Sequence, residues 1–242
     1  MTMTVSDAGL PVFFANIRPI FGGELNQQQV DGINALLAAW EKSGDKNPRH
    51  LAYVLATAKH ETAHTMQPVR ETLASTDAKA KERLTKAWKA GKMPSVKRDY
   101  WSSGYFGRGY VQLTHKANYE KAGKALGVDL VGNPSLALDP EIAGRVLIRG
   151  MLEGWFTGKK LSDYPSDFMG ARAIVNGSDR ASAIAGYAYR FLDAIERAAQ
   201  PAPQPAKPIP APTPAPAPSR PATGFWQAVV AFLLSLFGKK QD

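Results

Sequence analysis

The sequence of 242 residues contains no cysteine. A disulfide framework, a thiolate metal site and a cysteine nucleophile are therefore all excluded. With 44% of its residues hydrophobic and 21% charged, the chain has the composition of a well-packed globular domain. We expect the fold to depend on core packing alone.

The N-terminus also lacks the pattern of a secretory signal. Residues 1–19 contain no basic region followed by a long apolar run. We therefore expect no cleavable signal, and synthesis and folding in a cytoplasm.

Long runs of alternating apolar and polar residues are missing as well, so the predicted fold class is mainly α. The apolar residues recur at helical spacing instead, with Asn26 and Asn47 as expected N-caps and Pro68 as an expected stop near Gln67. One exception is the segment 110–114, where alternation predicts a short strand with Tyr110, Gln112 and Thr114 on its polar face. The predicted helices cover 25–42, 48–67, 77–90, 116–126, 139–153, 167–175 and 180–198.

The C-terminal part of the chain is rich in proline and then apolar. Proline recurs so often from Pro201 onward that neither helix nor sheet can continue there. We predict a domain at 1–199, a linker at 200–223 and a tail at 224–242. The tail, with its "FWQAVVAFLLSLF" run and closing lysines, is predicted to contact a membrane.

The formal net charge is +9, and basic residues outnumber acidic ones between Asp77 and Asp99. A polyanionic partner and a solvated basic helix both fit this pattern. No recognised nucleic-acid motif accompanies the charge, so we expect no nucleic-acid partner.

The stretch "HETAH" matches the HExxH signature of zinc peptidases, with His60 and His64 four residues apart on a predicted helix. A third ligand is hard to place, because Gln67 and Arg70 stand where the extended motif has glycine and histidine. The zinc peptidase is therefore a remote alternative, and we expect no metal or other cofactor.

Glu61 and Glu71 suggest a second kind of chemistry. On one continuous helix the two carboxylates would lie about three turns apart, but Pro68 turns the chain between them. Two carboxylates that face each other across a cleft, with room for a water, are typical of inverting glycosidases.

Four segments follow one another along the chain: "AKHETAH", "VRET", "YFGRGYVQLTHKANY" and "AIVNGSD". In their order and their residue types they resemble the family 19 glycoside hydrolases, which include chitinases and related phage or prophage endolysins. The similarity spans nearly all of residues 12–198 and is closest in style to the compact endolysins. It implies a lysozyme-like, two-lobed α-helical domain with a small β element at the cleft.

The resemblance also implies roles for individual residues. The family's general acid corresponds to Glu61, and the general base of its endolysin-like members corresponds to Glu71. The implied substrate-binding residues are His60, Tyr105, Gln112, Thr114, Asn118 and Asn176.

We accordingly predict an endolysin-type glycosidase that hydrolyses the β-1,4 bonds of peptidoglycan by an inverting acid and base mechanism. A chitinase is the alternative. The expected partner is the peptidoglycan glycan strand, and the protein is expected to be a monomer. It would be made in a bacterial cytoplasm and act on the cell wall during lysis, with the tail at a membrane.

Overall fold

The computed structural model describes residues 5–200. That part of the chain is mainly helical, as predicted. Its helices are α1 (Leu10–Ile17), α2 (Gln27–Ser43), α3 (Pro48–Glu61), α4 (Asp77–Lys89), α5 (Lys116–Leu126), α6 (Pro140–Glu153) and α7 (Ala181–Ala199). Two short strands, β1 (Val69–Arg70) and β2 (Arg108–Gly109), form an antiparallel pair. Short 3₁₀ turns cover Arg18–Phe21, Glu71–Leu73, Pro134–Leu138, Leu161–Asp163 and Gly170–Ile174.

The starts of α2 and α3 confirm the predicted caps. The Asn26 side chain accepts a hydrogen bond from the Gln29 N–H at 2.9 Å, and the Gln29 side chain accepts one from the Asn26 N–H at 3.0 Å. This reciprocal pair satisfies N–H groups that the first turn of a helix leaves unpaired. At α3 the Asn47 side chain accepts from the Arg49 N–H, and Pro48 occupies the first helical position.

Helix α3 runs through the centre of the larger core. Every residue from 51 to 59 is buried, so the helix is covered on all sides. It packs mainly against α7, while α2 packs against α6 and α1 lies on α7. The C-terminal end of this buried helix is consequently held in a fixed position.

A second, smaller cluster of buried apolar residues lies under α4 and consists of Ala74, Ala80, Leu84, Trp101 and Phe106. Arg108 on β2 connects it to the larger core. Its guanidinium pairs with Asp77 of α4 at 2.7 Å and donates to the hydroxyl of Tyr119 on α5 at 2.9 Å. Burial would raise the pKa of Asp77, but hydrogen bonds from Arg70 and Arg108 outweigh that effect and hold the pKa below its ordinary value.

The predicted two-lobed, lysozyme-like class is confirmed.

Some local predictions were wrong. Helix α1 was not anticipated, and the helix predicted at 167–175 is only a 3₁₀ turn at Gly170–Ile174. Within residues 5–200, no helix combines the length and the apolar character that crossing a membrane requires. The linker from residue 201 and the tail at 224–242 lie outside the described residues.

Candidate active site

Glu61 is the last residue of α3, and the side chain of Thr62 ends the helix there. The buried Thr62 hydroxyl donates to the Ala58 carbonyl at 2.7 Å and accepts from the Met66 N–H at 3.1 Å. These local bonds replace the helical pattern and turn the chain. Glu61 is thereby presented at the end of a rigid helix.

The HExxH geometry does not form. The predicted helix end near Gln67 was wrong, because the chain leaves the helix after Glu61 and His64 has a left-handed φ of 69°. His60 is in the last turn of α3, whereas His64 lies beyond it with its ring edge against Tyr187 at 6.0 Å. The two imidazoles therefore do not share a helix face as we expected. Within residues 5–200, no three metal-binding side chains come together.

His60, one of the predicted substrate-binding residues, is half-buried beside Glu61. Burial is the main cause that lowers the pKa of His60, and Arg172 lowers it further, while the Glu61 carboxylate opposes the shift. The imidazole is accordingly neutral at pH 7 and can both donate and accept a hydrogen bond.

Arg172 is the main partner of Glu61 and was not among the predicted site residues. Its Nη1 lies 2.6 Å from Glu61 Oε1, and its Nε donates to the Asp179 carbonyl at 2.9 Å. The Arg172 side chain is only 3% exposed, while that of Glu61 is 19% exposed. An arginine held this way fixes the orientation of the carboxylate.

Glu71 directly follows β1 and is held by two donors. The Tyr100 hydroxyl donates to its Oε1 at 2.5 Å, and the Gly107 N–H donates to its Oε2 at 2.7 Å. Burial, and then the hydrogen bond to Glu71, raises the pKa of Tyr100, so the phenol remains a donor. Neither Tyr100 nor Gly107 was among the predicted site residues.

Gly107 allows Glu71 and Gln112 to approach each other. A Cβ at position 107 would lie 2.8 Å from Gln112 Oε1 and 3.2 Å from Glu71 Oε2. The side chain of any other residue would separate these two groups. The structure thus brings the predicted base and one predicted sugar-binding residue together.

The segment 110–114 is a tight turn, and the predicted alternating strand was wrong. Arg108 and Leu113 form a bridge that closes the turn, and Gln112 has a φ of 54°. Tyr110 is fully buried instead of facing a groove. The glycines in the sequence indicate a turn here, but no periodic pattern predicts the bridge between Arg108 and Leu113 that closes it.

The turn orders three of the predicted binding residues in a chain of hydrogen bonds. Gln112 Nε2 donates to the Val69 carbonyl at 3.1 Å, which ties the turn to β1. The Thr114 hydroxyl donates to the Gln112 carbonyl, and Asn118 Nδ2 donates to the Thr114 carbonyl, both at 2.7 Å. Gln112, Thr114 and Asn118 therefore belong to one group with Glu71.

Asn176 belongs to the other group. Its N–H donates to the Arg172 carbonyl at 3.0 Å, and its side-chain oxygen accepts from the Gly177 N–H at 2.9 Å. The side-chain oxygen thus supports an Asn-Gly turn, while the amide nitrogen is exposed with the rest of the residue.

Tyr105 is half-buried, and its hydroxyl donates to the Val131 carbonyl at 3.0 Å. Its ring packs edge-on against Tyr119 at 5.4 Å. These contacts give Tyr105 a structural role. Its predicted contact with substrate would have to come from the remaining ring surface.

We expect Thr62→Val to destabilise the end of α3. Valine keeps the shape of threonine but leaves the buried Met66 N–H without its acceptor, which costs about 1–3 kcal/mol of unfolding free energy. Urea denaturation of both variants measures the difference, with Thr57→Val as the control. Thr57 lies on the same helix, is as buried as Thr62 and precedes the turn. Equal losses in the two variants would show that Thr62 does not hold the turn.

Part of the sequence matches a known family of glycoside hydrolases. The model of glycoside hydrolase family 19, chitinase class I, matches residues 30–186. Chitinase 11 of Oryza sativa subsp. japonica is 46% identical over 81 residues, which are 32% of this chain and 29% of that protein. Acidic endochitinase pcht28 of Solanum chilense is 47% identical over 68 residues, which are 27% of this chain and 24% of that protein. The chain thus spans less than a third of the length of these two relatives.

The fold is also found among solved structures. Chitinase C from Streptomyces griseus HUT6037 superposes with a TM-score of 0.52 and 22% identity, over 81% of this chain and 78% of that one. At this level of identity, the likeness establishes the fold alone.

Proposed function

This chain belongs to glycoside hydrolase family 19, and on that premise we propose that it cleaves β-1,4 bonds between N-acetylated sugars with inversion at the anomeric carbon. The family makes it an enzyme that hydrolyses glycosidic bonds. The assignment of acid, base and substrate within this site is the proposal.

The observation that carries the proposal is the different support of the two carboxylates. Glu61 is paired with a buried guanidinium, whereas the donors to Glu71 within residues 5–200 are neutral, the Tyr100 hydroxyl and the Gly107 N–H. An inverting glycosidase needs two carboxyl groups, one as acid and one as base, and the family resemblance assigns the acid to Glu61 and the base to Glu71.

In the proposed mechanism Glu61 is the general acid. Arg172 engages its Oε1, so the proton that passes to the leaving oxygen is carried on Oε2. Glu71 is the general base. Each of its carboxylate oxygens has a second lone pair, beyond the one that Tyr100 or Gly107 uses, with which to accept a proton from water. Thr114 donates its proton to the Gln112 carbonyl, and its own lone pairs can accept a hydrogen bond from the attacking water.

The names of the relatives support chitin as the first candidate substrate, since both proteins quoted above are chitinases. Peptidoglycan is the second candidate, because a net charge of +9 favours an anionic polymer over a neutral one. With peptidoglycan as the substrate, we also propose a role in bacterial lysis in which the tail at 224–242 contacts a membrane.

The test is proton NMR of the first products from a chitin hexasaccharide. Inversion of a β bond releases the α anomer before mutarotation, and we expect that anomer to exceed its equilibrium share in the first minutes. Early excess of the β anomer would mean retention and would overturn the assignment of Glu71 as a base that activates water. The same digestion of peptidoglycan, followed by borohydride reduction and mass spectrometry, identifies which sugar carries the new reducing end.

A further inference from the structure

A pocket of about 440 Å³ lies next to the candidate base. Its wall includes Tyr100, whose hydroxyl donates to Glu71, and His115, whose ring packs edge-on against Tyr100 at 5.2 Å. A single aromatic side chain therefore separates the pocket from the carboxylate proposed to activate water.

The pocket is basic. Lys97, Arg98 and Lys116 line it, all three are exposed, and none forms an ion pair within residues 5–200. Asp99 is the acidic residue of the wall, so the three cationic side chains and this one carboxylate sum to a net charge of +2. We call this site the basic pocket.

Within residues 5–200 Asp99 forms no ion pair with these cations, because its carboxylate accepts hydrogen bonds from its own turn. It accepts hydrogen bonds from the N–H groups of Trp101 and Ser102 at 2.8 and 2.9 Å and also from the Ser102 hydroxyl. The lysines and the arginine are consequently left to attract an anion from outside.

The start of α5 adds to the positive potential. His115 is its N-cap and Lys116 its first residue, and both line the pocket. No side chain in the described part of the chain, residues 5–200, caps this helix end, so the first N–H groups of α5 contribute a partial positive charge. The helix end and the three cationic side chains thus favour the same kind of ligand.

Chitin has only hydroxyl and acetamido groups to offer such a site. Peptidoglycan carries carboxylates on its lactyl groups or its stem peptides, and charge-assisted hydrogen bonds to these are stronger than neutral ones. We propose that the basic pocket is a subsite that binds a carboxylate carried by the glycan substrate. This inference rests on the proposed glycosidase function.

The test compares a pocket variant with a control of equal charge. The pocket variant carries Lys97→Gln, Arg98→Gln and Lys116→Gln, and the control carries Lys79→Gln, Lys89→Gln and Lys124→Gln at exposed positions outside the pocket. Both lose three positive charges, so a general electrostatic effect appears equally in both. Thermal denaturation verifies that both remain folded.

Each protein is assayed on solubilised peptidoglycan strands, on the same strands with their carboxyl groups amidated, and on a chitin hexasaccharide. We expect the pocket variant to lose about tenfold in kcat/KM on the native strands, as loss of one charge-assisted contact predicts, and less than about twofold on the other two. The wild type should lose a similar factor when the strands are amidated. The lactyl carboxyl is bonded to the peptide in intact strands and becomes a free carboxylate only when the peptide is removed. An effect confined to intact strands therefore assigns the pocket to the peptide carboxylates, and an effect that is also present on stripped strands shows that the pocket accepts the lactyl carboxylate as well.

Equal losses on native and amidated strands, or losses no larger than those of the control, would overturn the inference. A wild type that cleaves only the chitin hexasaccharide would overturn it too, while leaving the proposed glycosidase function intact. A wild type that cleaves none of the three substrates would overturn both.

Discussion

We expect Glu61→Gln to lower kcat/KM for the glycan by about 10²–10⁴-fold, the usual contribution of a general acid. The amide has nearly the shape of the acid but has no proton to give to the leaving oxygen. Arg172 can still donate to the amide oxygen, so the side chain keeps its place. Initial rates of reducing-end release measure the effect.

The same variant has a calculable cost in stability. The Arg172 side chain is 3% exposed, and removing the negative partner of a buried charge costs about 3–5 kcal/mol when nothing replaces it. A retained hydrogen bond to the amide makes the expected loss smaller, about 1–3 kcal/mol of unfolding free energy. Assays therefore belong well below the melting temperature of the variant.

A substrate with a good leaving group separates catalysis from structure. The dinitrophenolate of a dinitrophenyl glycoside leaves without being protonated. Glu61→Gln should therefore retain most of the wild-type rate on that substrate and lose most of it on the natural glycan. Glu120→Gln, at an exposed position on α5, is the matched control and should behave like wild type. Equal losses on both substrates would remove Glu61 from the role of general acid.

The sequence predicts the features of this fold that depend on near neighbours. The starts of α2 and α3 follow from Asn26 and Asn47, whose side chains bond within three residues along the chain. The predicted end of α3 was wrong because two local signals compete. Pro68 forbids a helix before it, but the Thr62 hydroxyl ends the helix earlier through its bonds to Ala58 and Met66.

The supporting residues of the site were beyond such reasoning. Arg172 lies 111 positions after Glu61, and Tyr100 lies 29 positions after Glu71. No periodicity connects residues at these separations, so only folded packing brings them together. The one available signal was weak: Arg172 is a lone charge in the apolar segment "FMGARAIV", where an unpaired cation would be costly to bury.

Glu71→Gln should be as damaging as Glu61→Gln, with a loss of about 10²–10⁴-fold in kcat/KM, because an amide cannot take a proton from water. The local structure should tolerate the change. The amide oxygen can accept from the Gly107 N–H, while the Tyr100 hydroxyl, which is donor and acceptor, can rotate to accept from the amide nitrogen. Initial rates measure the loss in kcat/KM, and thermal denaturation measures whether the local structure is retained.

Azide provides the decisive readout, because it is a nucleophile that needs no base. If Glu71 activates water, added azide should restore turnover of Glu71→Gln and yield a glycosyl azide that mass spectrometry detects. Tyr100→Phe is the control, since it keeps the carboxylate and removes one orienting hydrogen bond worth about 1 kcal/mol, so it should lose about fivefold and gain nothing from azide. A Glu71→Gln enzyme that azide leaves inactive and that melts well below wild type would make Glu71 a structural anchor of the turn at Gly107.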